Sequence, residues 1–402
     1  MIVKPLTRIR SLPRRAQFFL VATFLVNVGS QSATPFFILY LHLSQHLSIA
    51  ASTAILAVAL GLHQGLGLFG GTIADRFGHR RSIAIGLLMR GVAYGLYIVG
   101  HHVPAVFLGV IMFGVGSALF NPSGKAAFAA SLSQETTETG FRLRSSAVFA
   151  ASIVGPLIGS VIYAAGAAPF TDLFLFSLTF QVSLLLVFLG VVRPHTTRTA
   201  ASNLVQQIMN PVRDHDMRIL SIEFALFFLT DAIVHFAVPL VLARLGYGFL
   251  TGAAFSFLAV AAIGTQMFAV SRPTHRGHRS VMTLGFVAVF LGTVLFAAVD
   301  VGGIWMIPVS LMLWGIGEGM LVPAIEIMVS RVALHDHRAG YFGFLGIAGG
   351  TGGVIGNLAG GVAFHHLEGG WFWLAVALPP AIATLAGWRR PSSSHVITDE
   401  RR

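Results

Sequence analysis

Four carboxylates stand inside long apolar runs of this 402-residue chain: Glu223 and Asp231 in one run, Glu318 and Glu326 in another. A charged side chain at the centre of a bilayer costs roughly 2.5–3.5 kcal/mol on insertion scales, so each is a candidate for function. Burial disfavours the ionised form, and a proton or a cationic ligand can reverse the balance. The chemistry expected of Asp231 and Glu318 is therefore proton acceptance or pairing with a cation; hydrogen bonding to a neighbouring helix is the structural alternative. His235 follows Asp231 by one helical turn on the same face. Histidine titrates near neutrality, so it can relay a proton or hold Asp231 ionised, or simply make a structural hydrogen bond. Asn27 and Gln31, again one turn apart, are polar groups able to line a cavity. His63 with Gln64, and Arg90, are further polar residues in apolar surroundings. Arg90 needs a partner or water, and the sequence does not name one.

Other chemistries are excluded. There is no cysteine, hence no thiolate or iron–sulfur site. The pairs His101-His102 and His365-His366 lack a third ligand at useful spacing, so no metal is expected. No nucleophile–base pair is visible, so the chain is not read as an enzyme. No G-x-x-x-x-G-K-[ST] loop is present, so neither ATP nor any other cofactor is expected.

The elements that must position these residues follow from composition. The chain is 55% hydrophobic and 10% charged, against about 25% charged in soluble proteins. Its net charge of +11 comes from short basic clusters between apolar runs. That is a topology signal, and no basic soluble domain exists to hold nucleic acid. Twelve apolar segments, each near the ~17–25 residues that cross a bilayer, span 16–41, 48–70, 81–99, 103–130, 141–166, 170–192, 218–243, 249–270, 279–299, 303–334, 338–366 and 370–388. The fold class expected is an all-α membrane protein of two six-helix bundles, 1–192 and 218–388, with a linker over 193–217 and a tail over 389–402. The first apolar run has 26 residues, beyond the ~7–15 of a signal peptide, and is read as a spanning helix. Of the 26 Lys and Arg residues, all but Arg90 and Arg244 fall in the tails, in loops after even-numbered segments, or just inside the adjoining helix ends. Cytoplasmic loops are the basic ones, so both termini are expected in the cytoplasm of a multi-pass cell-membrane protein. Asp231 lies 13 residues past Arg218 and Glu318 14 past Ile304, about 20 Å from opposite sides at 1.5 Å per residue. Both therefore come near mid-bilayer.

The chain repeats itself at an offset of 201 residues. Gly114-Val-Gly-Ser-Ala-Leu-Phe-Asn-Pro122 matches Gly315-Ile-Gly-Glu-Gly-Met-Leu-Val-Pro323, and Gly155-Pro156-Leu-Ile-Gly159 matches Gly356-Asn357-Leu-Ala-Gly360. Lys125 and Glu326 occupy equivalent positions with opposite charge, near the basic ends of segments four and ten. They are expected to form an inner-gate ion pair when that side closes, or else to reach for water separately.

Between segments two and three lies Gly71-Thr-Ile-Ala-Asp-Arg-Phe-Gly-His-Arg-Arg81. Its Gly71, Asp75, Arg76, Gly78, Arg80 and Arg81 make the pattern G-x-x-x-D-R-x-G-x-R-R. This resembles the loop after the second helix of major facilitator superfamily transporters, and Gly155, Pro156 and Gly159 resemble the antiporter motif of that family's fifth helix. Ser160 stands where a second glycine is expected, and Gly109 and Val110 lie where many members carry an arginine. The resemblance to the drug:proton antiporter group implies twelve helices, a central cavity lined by helices one, four, seven and ten, and a site between parallel repeats. It also implies that the Asp75 loop gates the cycle. Asp75 would meet the N-terminus of segment eleven, and Arg76, Arg80 and Arg81 would hold acids or lipid headgroups or serve topology alone. Pro35 and Pro239 are expected to bend segments one and seven. The function expected is proton-coupled efflux of a lipophilic small molecule by a monomer in contact with membrane lipids. A sugar or metabolite uniporter or symporter, and a non-transporting membrane sensor, remain as alternatives.

Overall fold

The structure, a computed structural model, describes residues 12–66, 78–100, 102–191, 211–270, 277–333, 338–367 and 369–389. Among these all regular structure is helical. A backbone in lipid must satisfy its own polar groups, and a helix does so within one segment. The long helices are α1 (Arg14–Ala33), α2 (Ile49–Gly65), α3 (His79–Val99), α4 (Val103–Ala129), α5 (Thr137–Ala165), α6 (Pro169–Val191), α7 (His215–Arg244), α8 (Thr251–Val270), α9 (His278–Phe296), α10 (Met306–Val332), α11 (Arg338–His366) and α12 (Gly370–Val376, resumed at Leu378–Arg389). Among the described residues eleven stretches are long and apolar enough to cross a membrane, and the shorter α2, 17 residues as described, is apolar as well.

Local chemistry sets the ends. The Ser48 hydroxyl accepts from the Ala51 amide at the start of α2, and Asp214 accepts from the Asp216 and Met217 amides at the start of α7, as N-caps do. Gly78 precedes α3 with φ +87°, a conformation that favours glycine. Pro35 sits where α1 gives way to a 3₁₀ turn, Thr34–Phe36, on its way to Ser44. Pro239, by contrast, lies within the unbroken α7.

Glycines decide how closely these helices cross, as small residues do in membranes. On α5, a side chain at Gly155 or Gly159 would run into the Val28 and Ser32 carbonyls of α1. On α11, Gly356 and Gly360 face the Leu229 carbonyl and Ile233 of α7 in the same way. Both the glycines and the residues they meet are 201 apart. Likewise Gly116 of α4 abuts the Gly86 carbonyl of α3, and Gly317 of α10 abuts the Gly285 carbonyl of α9. The repeat in the sequence is thus a repeat of helix contacts.

Helices α1–α6 pack mainly among themselves, as do α7–α12; the broadest contacts joining the two sets run along α2–α11 and α5–α8. We call the side where α1, α3, α5 and α7 begin the basic side, and the other the far side. At the far side, Phe36, Ile38 and Leu39 share one core with Val234, Ala237 and Leu240 of α7. Toward the basic side, the clusters around Val26 and Leu87 and around Ala16 and Phe128 draw only on α1–α6 and residues adjoining them. Trp305 and Trp371 near the far side and Trp388 near the basic side are highly exposed, as in the aromatic belts of bilayer interfaces.

Ser160 has a specific task. Its hydroxyl accepts from the Ala253 amide in the first turn of α8 at 2.9 Å, satisfying a donor the helix itself leaves open. Ser256 returns a bond to the Ile153 carbonyl at 2.7 Å. Ser160→Ala is expected to destabilise the protein by about 1–3 kcal/mol, the cost of an orphaned buried donor, read as a lower thermal midpoint in detergent.

Candidate functional site

The middle of α7 carries Asp231 and His235 as a bonded pair. The imidazole Nδ1 lies 3.1 Å from the Asp231 carboxylate and 2.9 Å from the Asp231 carbonyl. The ring stacks on Phe255 of α8, centroids 4.7 Å apart, which fixes its plane. The His235 side chain is 45% accessible and that of Asp231 19%. Such access deep within a spanning helix means that they face an internal opening rather than packed neighbours.

Glu318 comes from α10 and completes the cluster. It lies within electrostatic reach of both Asp231 and His235. Its Oε2 is buried with no hydrogen-bond partner. Most buried polar atoms find a partner, so an orphan is notable. An unpaired carboxylate oxygen here is an open acceptor for a proton or for a donor on a ligand. Behind it, one turn earlier, the buried Trp314 packs on Phe227 of α7 and backs the cluster with an aromatic wall.

The opposite helices carry a different centre. Ser30, the position 201 residues before Asp231, receives a hydrogen bond from the Arg90 guanidinium of α3. Gln181 also donates to it at 3.4 Å. Arg90 is 5% exposed and lies over the Phe113 and Phe120 rings at 5.0 and 5.2 Å. These are cation–π contacts. Among the described residues no carboxylate pairs with it.

Nearer the basic side a cavity of about 270 Å³ opens among α1, α3, α4, α5 and α6. Asn27, Asn121, Lys125 and Arg144 form its polar wall; Phe18, Phe19, Phe120 and Phe188 are the phenyl groups of its apolar wall. Asn27 also donates to the Thr23 carbonyl at 2.7 Å. Gln31 instead packs its Cβ against Gly155, at the α1–α5 crossing. His63 of α2 meets Asn121 at 3.3 Å. Lys125 and Glu326 are both exposed and form no ion pair, yet each lies within electrostatic reach of the other. Glu223 faces Arg279 of α9 at 3.4 Å, a pairing that sequence reasoning missed although both residues were in view.

The motif loop is only partly described. Gly71, Asp75 and Arg76 lie outside the described residues. Arg80 donates to the Leu189 carbonyl of α6 at 3.2 Å, as a cation near a helix C-terminus does; Arg81 is exposed. Pro156, between the two α5 glycines, presents its carbonyl to Gly252 of α8. Among the described residues no three histidine or acidic side chains are grouped to hold a metal.

The family model of the Major Facilitator Superfamily matches residues 19–276 and 273–402. The chain is 24% identical over 380 residues to the "Multidrug resistance protein MdtH" of Shigella flexneri, covering 89% of this chain and 90% of that one. An Escherichia coli protein of the same name matches to the same extent. Among solved structures, the nucleoside transporter NupG superposes with a TM-score of 0.78 at 16% identity, over 94% of this chain and 98% of that one. A peptide transporter POT in complex with sulfate superposes with 0.77 at 13% identity, over 94% of each chain. At these identities the structural likeness concerns the fold.

Proposed function

This chain belongs to the major facilitator superfamily, and from that premise we propose that it exports lipophilic small molecules across the cell membrane in exchange for protons. Membership makes it a secondary membrane transporter and not an enzyme. The observation that carries the proton-coupled reading is the cluster of Asp231, His235 and Glu318: three titratable groups within reach of one another, facing an opening, one with an unpartnered buried oxygen. A buried carboxylate is where proton binding and ligand binding can exclude each other. The multidrug name borne by relatives over nine-tenths of their length supports a drug-like substrate. So does the phenyl-rich cavity.

In this reading the basic side is cytoplasmic. The described state, packed at the far side by the α1–α7 core, is in this reading the one that admits substrate from the cytoplasm. Substrate enters from that side while the acids hold protons from the preceding turn. Proton release and rocking of α1–α6 against α7–α12 then expose the site to the far side. Lys125 and Glu326 approach on closure and form the inner gate; the Asp75 loop gates the same side. The protein works as a monomer with no nucleotide, its surface in lipid. Charge reversal tests the gate. With a neutral lipophilic substrate, Lys125→Glu alone is expected to lower transport severalfold by setting two acids face to face, and the Glu326→Lys partner restores it; failure of rescue removes the gate.

The reading is tested by dye accumulation in energised cells that express the chain. Expression is expected to lower accumulation of lipophilic dyes, and a protonophore to abolish the difference. Protonophore-insensitive movement of a sugar or metabolite down its gradient would instead establish the uniporter.

A further inference from the structure

The 270 Å³ cavity on the basic side has a chemical character of its own. Lys125 and Arg144 both line it, and none of its lining residues is acidic. The two cations lie within electrostatic reach of each other. Arg142, two residues earlier on the same helix, is bonded to Glu138 at 2.6 Å. Arg144 has no such acid, and its Nε is buried without a partner. The membrane-embedded acids Asp231, Glu318 and Glu326 all stand on α7 and α10 instead. The opening is therefore polarised, with cations on the α4–α5 wall and carboxylates across from it. Phe18, Phe120 and Phe188 give the cationic pocket a flat apolar lining, and the Asn121 amide adds polar capacity. Its volume is near the ~300 Å³ lower bound of small-ligand pockets.

We propose that this pocket binds lipophilic carboxylates, with the carboxylate held between Lys125 and Arg144 and an aromatic or alkyl body laid against the phenyl groups. Arginine suits a carboxylate because its fork can donate two parallel bonds. An anion between the two cations also relieves their mutual repulsion. Glu326, within electrostatic reach of Lys125, competes with that anion for the ammonium. As a statement of substrate class this rests on the export reading above; as a binding site it does not.

The test uses the full chain in nanodiscs of zwitterionic lipid, with binding followed by calorimetry. The probes are 1-naphthoate, the matched cation 1-naphthylmethylammonium, and 1-naphthoate again in discs containing phosphatidylglycerol. Naphthoate is expected to bind at least about tenfold more tightly than the cation, and Arg144→Gln or Lys125→Gln to weaken it by about tenfold or more, the worth of one charge-assisted bond. Arg144→Lys is expected to retain part of the affinity, and Glu326→Gln to increase it. The rise in the Glu326 variant and weakening of wild-type binding by salt keep the site testable if a cation variant does not fold. Equal binding of the two probes, or unchanged affinity in folded Arg144→Gln and Lys125→Gln, overturns the proposal. Loss of naphthoate binding only when phosphatidylglycerol is present assigns the pocket to a lipid headgroup and also overturns it. Naphthoate binding without proton-coupled flux leaves this site standing while the export reading fails. Flux without naphthoate binding removes only this site.

Discussion

Glu318→Gln is expected to abolish uphill transport in proteoliposomes carrying a proton gradient, down to the level seen without a gradient, while exchange of substrate across the membrane continues. Glutamine keeps the shape and hydrogen-bonding reach of a protonated glutamate but has no proton to give up. Glu318 is the member of the cluster with an open, buried oxygen, so the substitution removes the titrating step and little else. Asp231→Asn is expected to act differently, because Asp231 already holds the His235 ring at 3.1 Å. Removing its charge frees the imidazole, and loss of coupling is accompanied by weaker substrate binding. If Glu318→Gln transports uphill as well as wild type, Glu318 is a structural or substrate-contacting residue, and proton movement must be sought elsewhere.

Gly252→Leu is expected to turn the protein over, opening the far side and closing the basic one. A side chain at Gly252 would collide with the Pro156 carbonyl and the Ser160 hydroxyl, where α8 crosses α5. The colliding oxygen of Pro156 is backbone and cannot swing away. Overpacking of this kind costs roughly 1–3 kcal/mol, and only the far-side-closed state bears the cost. A shift of that size changes the ratio of two states by about 5- to 150-fold. The chain has no native cysteine, so paired spin labels can be placed without background. A far-side pair at Leu43 and Leu245 is expected to move apart, and a basic-side pair at Ala130 and Arg331 to draw together. Gly346→Leu is the control, since a side chain there meets nothing within 4 Å. Unchanged distances in folded Gly252→Leu would contradict the assignment of α5–α8 as the seam between two moving sets.

What could be read in the sequence follows from which interactions are local. Helix positions were legible because apolar runs between charged clusters leave the backbone no alternative in lipid. The glycine landmarks were legible as a repeat because each marks a close approach to a partner helix, and at the α1–α5 and α7–α11 crossings those partners repeat as well. Asp231 and His235 were legible as a pair because four residues is one turn. Contacts between distant segments were not. The Arg90 partner is a serine hydroxyl and two phenyl rings, none of which advertises itself as a counter-ion. Gln31 carried the same signal as Asn27 but packs at a helix crossing. Ser160, read as a departure from a glycine motif, bonds the first turn of α8. The pairing of Lys125 with Arg144 in one cavity had no periodic signature, because it joins α4 to α5 across a turn.

The most direct test of proton-coupled export is the proton itself. Wild-type protein would be reconstituted in lightly buffered proteoliposomes with an internal pH dye, and a lipophilic substrate added outside with no gradient imposed. Substrate entry is predicted to drive protons the opposite way, with the signal lost in Glu318→Gln. Substrate entry with no change in internal pH would contradict the account and leave a uniporter built on the same fold.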